Sequence, residues 1–166
     1  MTDATSTAIR SVCLFCGSSD AARPEYLQAA RAFGQALAGA GLRLVYGGGG
    51  VGLMGAAARA AHEAGGEVLG VMPKFLRSRE RLFDEVDTRV VTSMHERKQM
   101  MYDECDAFVV LPGGVGTLEE AIEVLSWKRL DRRCFWTPMI PSMTCPAPWP
   151  PSPPVRRSRG NMISDK

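Results

Sequence analysis

Val109-Val110-Leu111-Pro112-Gly113-Gly114-Val115-Gly116-Thr117-Leu118-Glu119-Glu120 is the stretch on which the reading of this chain turns. An apolar run ends in Pro-Gly-Gly, and a helical pattern follows from Thr117. Glycines at such a junction leave backbone N–H groups uncovered and let a ligand come close. The helix N-terminus beyond them adds a partial positive charge. The segment reads as a cradle for an anion, and phosphate is the usual anion. Glu119 and Glu120 stand within a turn of it, where a sugar joined to that phosphate would lie. A plainer reading stands level with this one. Thr117 and Glu120 have the T-x-x-E spacing of a capping box, and Glu119 has the character of a solvated helix residue.

Outward from this stretch, strand and helix patterns alternate. Residues 11–16, 42–46, 67–72 and 106–111 are short apolar runs with strand character, and 88–91 is a weaker fifth. Between them, 24–40 repeats apolar residues at three- and four-residue spacing, with Pro24 suited to a first helical turn. Small residues to Ala64 form a second helical pattern, and 93–104 a third, with Ser93 and Glu96 spaced as a capping box. The fourth, 117–129, carries Ile122, Leu125 and Leu130 as its apolar stripe. Residues 74–88 are charged and irregular, with the character of a loop or short helix. The alternation predicts an α/β fold: a Rossmann-like, doubly wound parallel sheet with helices on both faces. Ligands of such sheets bind beyond the carboxyl ends of the strands, where both glycine-rich segments fall.

The other glycine-rich segment, residues 47–55, has glycine at six of nine positions. Gly50-Val51-Gly52-Leu53-Met54-Gly55 matches G-x-G-x-x-G, which is weak alone. A dinucleotide site also wants an acid at the end of the next strand, and here that strand ends Val71-Met72-Pro73-Lys74. No Lys-Ser/Thr follows the glycines, which excludes a Walker A loop. The loop favours phosphate or nucleotide contact over a simple tight turn, because six glycines exceed what a turn requires.

The remaining clusters argue for packing. Cys13 and Cys16 form a C-x-x-C inside a strand pattern with no second pair, so structural cysteines are expected and a metal or redox site is not. Asp103, Glu104 and Asp106 have no His or Cys at ligand spacing and read as packing charges. His62 and His95 read as surface or packed histidines. Arg97 and Lys98 point about 100° apart on a helix, so a shared ligand would have to sit at the helix end. The five cysteines without a disulfide framework, the absence of a long apolar run and the polar N-terminus fit a reduced, cytoplasmic setting with no membrane partner.

Residues 128–166 carry eight Lys/Arg against two Asp/Glu, whereas 1–127 carry 12 against 16. The basic segment has no stacking aromatics in register, so nucleic acid is not an expected partner. Eight prolines fall between residues 134 and 154. The expected organisation is therefore a flexible 1–10, a nucleotide-binding catalytic domain over 11–130, and an extended or disordered Pro/Arg-rich 131–166.

Four motifs occur in order: Phe15-Cys16-Gly17-Ser18-Ser19, Tyr46 to Gly55, Ser93-Met94-His95-Glu96-Arg97-Lys98, and Pro112 to Glu120. Over roughly residues 10–130 this set resembles the Lonely guy (LOG) family, cytokinin riboside 5′-monophosphate phosphoribohydrolases formerly labelled lysine decarboxylases. P-G-G-x-G-T-x-x-E with an upstream M-H-x-R-K is the specific part. The resemblance implies a homodimer that needs no cofactor or metal. It would hydrolyse the N-glycosidic bond of N6-modified adenosine monophosphates to free base and ribose 5-phosphate. It implies phosphate binding by Gly113, Gly114, Val115, Gly116 and Thr117, with Glu119 or Glu120 at the ribose. Arg97 would be the second catalytic residue, with Lys98 beside it. Gly48, Gly49, Gly52, Met54, Glu80 and Ser126 would complete the substrate site. The alternative is a nucleotide- or phosphorylated-cofactor-binding protein of the same fold without turnover. A pyridoxal phosphate decarboxylase fits poorly, since none of Lys74, Lys98, Lys128 and Lys166 lies in a cofactor motif. After Leu130 the pattern leaves the family's, as an out-of-frame reading of a GC-rich gene would.

Overall fold

The computed structural model describes residues 8–79, 81–128 and 134–136. Six strands form one sheet: β1 (Ser11–Phe15), β2 (Arg43–Tyr46), β3 (Val68–Pro73), β4 (Asp87–Val91), β5 (Ala107–Val110) and β6 (Cys134–Trp136). Their order is β4-β3-β2-β1-β5-β6, and every pairing is parallel. The helices are α1 (Pro24–Gly39), α2 (Gly52–Glu63), α3 (Lys74–Arg77), α4 (Met94–Asp103) and α5 (Val115–Lys128). Every residue of β1, β3 and β5 is buried, as strands covered on both faces must be.

Side chains alternate across β1. Val12 and Leu14 join Ala30 and Leu37 of α1 and the alanines of α2 in one core. Cys13 and Phe15 face the opposite core, with Met101 and Tyr102 of α4 and Ala121 and Val124 of α5. Cys16, three residues after Cys13, therefore lies on the other face. That geometry bars the C-x-x-C from acting as a metal or redox pair. The α1–α2 contact is close enough that a Cβ on Gly34 would stand 2.2 Å from the Ala57 carbonyl oxygen.

Three expectations need correction. The chain is tied in before residue 11: Ile9 packs on the core and the Arg10 N–H donates to Asp106 Oδ2 at 2.8 Å. The sheet also runs past residue 130, where Cys-Phe-Trp, ahead of the first proline of the segment, pairs with β5. The rest of the expected tail, 137–166, lies outside the described residues. Finally, the buried face of α5 is Thr117, Glu120, Ala121 and Val124. Ile122 is 56% exposed, and Leu130 lies outside the described residues. Of the expected stripe, Leu125 does pack on the core shared with α4, and Ile122 is the residue that faces outward.

Carboxylates lock the amino-terminal end of the sheet, as the packing reading requires. Asp106 accepts from the Arg10 and Ser11 N–H groups and from Ser11 Oγ. Glu104 at the end of α4 pairs with Arg43 of β2 at 2.8 Å and with Arg89 of β4. Burial pushes the Glu104 carboxyl up, but the Arg43 and Arg89 hydrogen bonds outweigh it and hold the pKa below the ordinary value. A lowered folded-state pKa stabilises above the unfolded value, and this stability is lost as pH falls through the folded pKa. Urea denaturation of Glu104→Gln should show a loss of about 1–2 kcal/mol at pH 7 that shrinks as pH falls below the ordinary carboxylate range. A loss that stays the same as pH falls would contradict the charge-based account.

Candidate active site

The strand order reverses between β1 and β5, and a crevice opens beyond their carboxyl ends. The loops that follow them touch: the Gly17 N–H donates to the Pro112 carbonyl at 3.0 Å, and a Cβ on Gly17 would lie 3.3 Å from Gly113 Cα. Beside this contact is an open cleft of about 550 Å³. Its walls are the turn after β1, the start of α2, the first turn of α4, and the Pro112–Glu120 segment.

Two of the helices that begin at this cleft follow glycine-rich turns, and of these two only α5 offers free donors. At α2 the Gly17 carbonyl accepts from Leu53 N and Met54 N at 3.1 and 3.3 Å. That terminus is already plugged by the protein's own backbone. α5 begins at Val115, two residues before the expected Thr117, and Leu118 N is the first to reach back, to the Gly114 carbonyl at 3.1 Å. The N–H groups of Val115, Gly116 and Thr117 precede any carbonyl of their own helix. A Cβ on Gly114 or Gly116 would meet nothing within 4 Å, so open space lies over these donors. Thr117 is in the first turn, not at the cap, and is buried with its Oγ1 against Gly113. The Thr117–Glu120 capping box is therefore overturned, and Glu120 is released from that duty. The Ser93–Glu96 box does form: Ser93 Oγ accepts from Glu96 N at 3.0 Å, and the Glu96 carboxylate returns to Thr92 N at 2.7 Å.

α4 aims two cations at α5. Arg97 is buried and held by three elements. Its Nε donates to the Val71 carbonyl at 3.1 Å and its Nη2 to the Gly47 carbonyl at 2.9 Å. Nη1 lies 3.5 Å from Glu120 Oε1. Glycine is required at 47, because a Cβ there would stand 2.0 Å from Arg97 Nη2. Lys98, also buried, bonds Glu119 Oε1 at 2.7 Å and pairs with Glu123. The adjacent cations thus share no ligand: Arg97 lines the cleft, and Lys98 fastens the outer side of α5. Burial raises the Glu120 pKa, and the Arg97 charge opposes that rise. The hydrogen bonds that Lys98 donates to Glu119 and then Glu123 raise its pKa.

Arg97, Met54, Gly113, Gly114, Gly116, Thr117, Glu119 and Glu120 all line the cleft. Val115 is not in the lining, and it is 85% exposed. Gly48 and Gly49 are buried outside the lining, Gly49 bridging to Leu82. Gly52, at φ 64°, would carry a Cβ 2.7 Å from Ser18 carbon, so it serves the packing of two turns. Close packing accounts for glycine at 47, 50, 52 and 55 without a ligand. Ser126 is exposed, donates to the Ile122 carbonyl at 3.1 Å, and stands away from the cleft. Glu80 lies outside the described residues. Sequence reasoning missed Ser18, Ser19, Tyr26 and Met94, which line the cleft. The Gly17-Ser18-Ser19 run directly after β1 was the available signal for the first two.

The two glycines of Pro-Gly-Gly should separate by variant. A Cβ at Gly113 would lie 2.2 Å from Thr117 Oγ1 and 2.8 Å from Gly17 N, so Gly113→Ala should cost about 1–3 kcal/mol of stability in a urea melt. Gly114→Ala should melt like the parent, yet bind phosphate roughly tenfold more weakly, the worth of one displaced hydrogen bond. Equal stability of the two variants would contradict this division.

A family model described as "Possible lysine decarboxylase" matches residues 54–140. The chain is 50% identical over 127 residues to the probable cytokinin riboside 5′-monophosphate phosphoribohydrolase LOGL5 of Oryza sativa subsp. japonica, covering 76% of this chain and 52% of that protein. It is 46% identical over 127 residues to the cytokinin riboside 5′-monophosphate phosphoribohydrolase LOG7 of Arabidopsis thaliana, covering 76% and 58%. The chain thus spans little more than half the length of these relatives. Among solved structures, a molybdenum cofactor binding protein from Rippkaea orientalis superposes with a TM-score of 0.65 at 24% identity, over 80% of this chain and 77% of that one. The molybdenum cofactor carrier protein of Chlamydomonas reinhardtii gives 0.63 at 21%, over 77% and 88%. These two likenesses speak to the fold alone. The ordered motifs, the parallel sheet and the matching relatives agree: the chain belongs to the Lonely guy family, the family that its model describes as possible lysine decarboxylases.

Proposed function

We propose that this protein hydrolyses the N-glycosidic bond of adenosine 5′-monophosphates, including N6-modified ones, releasing the free base and ribose 5-phosphate. The observation that carries the reading is the buried Arg97–Glu120 pair set beside the open N-terminus of α5. In this reading the 5′-phosphate binds the N–H groups of Val115, Gly116 and Thr117, where the helix dipole favours a dianion. The ribose then lies over Glu120 and Glu119. Water attacks C1′ as the C1′–N9 bond breaks. The bonding pair leaves with the base, which takes up a proton, and the water's proton passes to Glu120. The sugar passes through an oxocarbenium-like state that the adjacent carboxylate charge stabilises.

The electrostatics support this role for Glu120. Its raised pKa makes it a stronger base than an ordinary carboxylate, closer to what proton transfer near neutral pH requires. Arg97 limits the rise. Glu119 is exposed and anchored by Lys98, which suits it to accept a ribose hydroxyl rather than to take the proton. The decarboxylase label finds no support in Lys98. A Schiff-base lysine needs a neutral amine, whereas two carboxylates hold this one protonated.

The substrate is a small nucleoside monophosphate, and a homodimer fits the apolar Leu118 and Ile122 left exposed on α5. A cytoplasmic setting fits the buried Cys13, Cys16 and Cys105, which form no disulfide among the described residues. Among the described residues no helix is long and apolar enough to cross a membrane, and no group of His, Cys, Asp and Glu is placed to hold a metal ion.

Chromatography of AMP and isopentenyladenosine monophosphate digests is the test. Free base and ribose 5-phosphate should appear in equal amounts. Glu120→Gln should lower the rate by about 10²-fold or more while retaining AMP binding. Tight AMP binding with no base released would replace the enzyme by a nucleotide-binding protein of the same fold.

A further inference from the structure

A second cleft, of about 610 Å³, lies between α1 and α2 on the other side of the residue 50–52 turn. Three guanidiniums border it: Arg31 of α1, Arg59 of α2 and Arg81 in the segment before β4. Asp20 and Glu63 are also on its rim. Among the described residues none of these five charges forms an ion pair with another residue, whereas Arg43, Arg89, Arg97 and Lys98 elsewhere all do. Three arginines against two acids leave the rim net positive, and a bound oxyanion offsets that charge.

Arg59 gives the cleft a fixed point. Its Nη2 donates to the Gly50 carbonyl at 2.6 Å, and its guanidinium stands 5.5 Å from the Phe83 ring centroid. Such a head is ordered before any ligand arrives, so little conformational entropy opposes binding. Arg31 and Arg81 donate no side-chain hydrogen bond among the described residues and keep their donors for a guest. The turn beneath is rigid as well, because Gly50 N bonds the Arg81 carbonyl at 2.6 Å and Gly49 bridges to Leu82.

We infer that this cleft is a second oxyanion site, separate from the α5 cradle, that takes a phosphorylated small molecule on Arg31, Arg59 and Arg81. Planar guanidiniums bind phosphate oxygens in pairs, and the volume is that of ordinary small-molecule pockets. The two clefts share the start of α2: Gly52 borders this one, and Leu53 and Met54 border the first. The inference does not depend on the reaction proposed above.

The test is titration of the ¹⁵N-labelled full chain with inorganic phosphate at constant ionic strength, with adenosine as the uncharged control. Saturable amide shifts are expected at Gly50, Gly52 and Leu82, besides those at Val115, Gly116 and Thr117. Arg31→Ala combined with Arg81→Ala changes two exposed side chains, so the fold should persist. It should weaken binding at the first group at least tenfold and leave the α5 group unchanged. Three results would overturn the site: shifts confined to α5, equal affinity in the double variant, or matching shifts with adenosine.

Discussion

The buried guanidinium of Arg97 is the constraint around which this molecule is arranged. A charge out of water must be fully hydrogen-bonded, and here the acceptors come from separate parts of the sheet and from α5. The ends of β2 and β3 must therefore stay in register, since Gly47 and Val71 each present a carbonyl to it. Residue 47 must be glycine to admit it. α5 must dock at the angle that brings Glu120 over it. The same docking leaves the first turn of α5 facing the crevice. The anion cradle and the carboxylate are thus set relative to each other by one cation.

That arrangement also explains why two glycine-rich junctions of similar appearance behave differently. Both follow a parallel strand and precede a helix. The first is filled by close backbone contacts, its helix N-terminus donating to the Gly17 carbonyl. The second meets the same Gly17 turn only through Gly113, and the next residue faces open space. A backbone carbonyl occupies one positive helix end, so a ligand has only the other. In the arginine-lined cleft behind the first junction the donors are side chains rather than a helix terminus.

Much of this could be read from residue order. Continuous apolar strands alternating with amphipathic helices specify a parallel sheet, and the Ser93–Glu96 cap fixes the start of α4 as expected. The start of α5 could not be read, because Gly116 looks like loop. First-turn positions demand little helix propensity, so a glycine there is tolerated and the helix begins at Val115. The misplacement of Ile122 on α5 has a similar origin, although Leu125 packs on the core as expected. Periodicity finds Ile122, but the core is met by Thr117, Glu120, Ala121 and Val124, two of them polar because they belong to the site. The surplus of glycines in 47–55 suggested a ligand, whereas most of them serve contacts with residues distant in sequence. Such contacts leave no local signal.

In the proposed reaction Arg97 sets the working charge of Glu120. The most direct measurement is the pH dependence of kcat/KM for the parent and for Arg97→Met, following base release. The acid limb of the parent should lie above the ordinary carboxylate range, since burial raises the Glu120 pKa and a protonated Glu120 cannot accept the water's proton. Removing the Arg97 charge removes the influence that lowers that pKa, so the limb should move further up in pH in the variant. A limb at the ordinary carboxylate value that stays in place in the variant would contradict the account and remove Glu120 from the proton transfer.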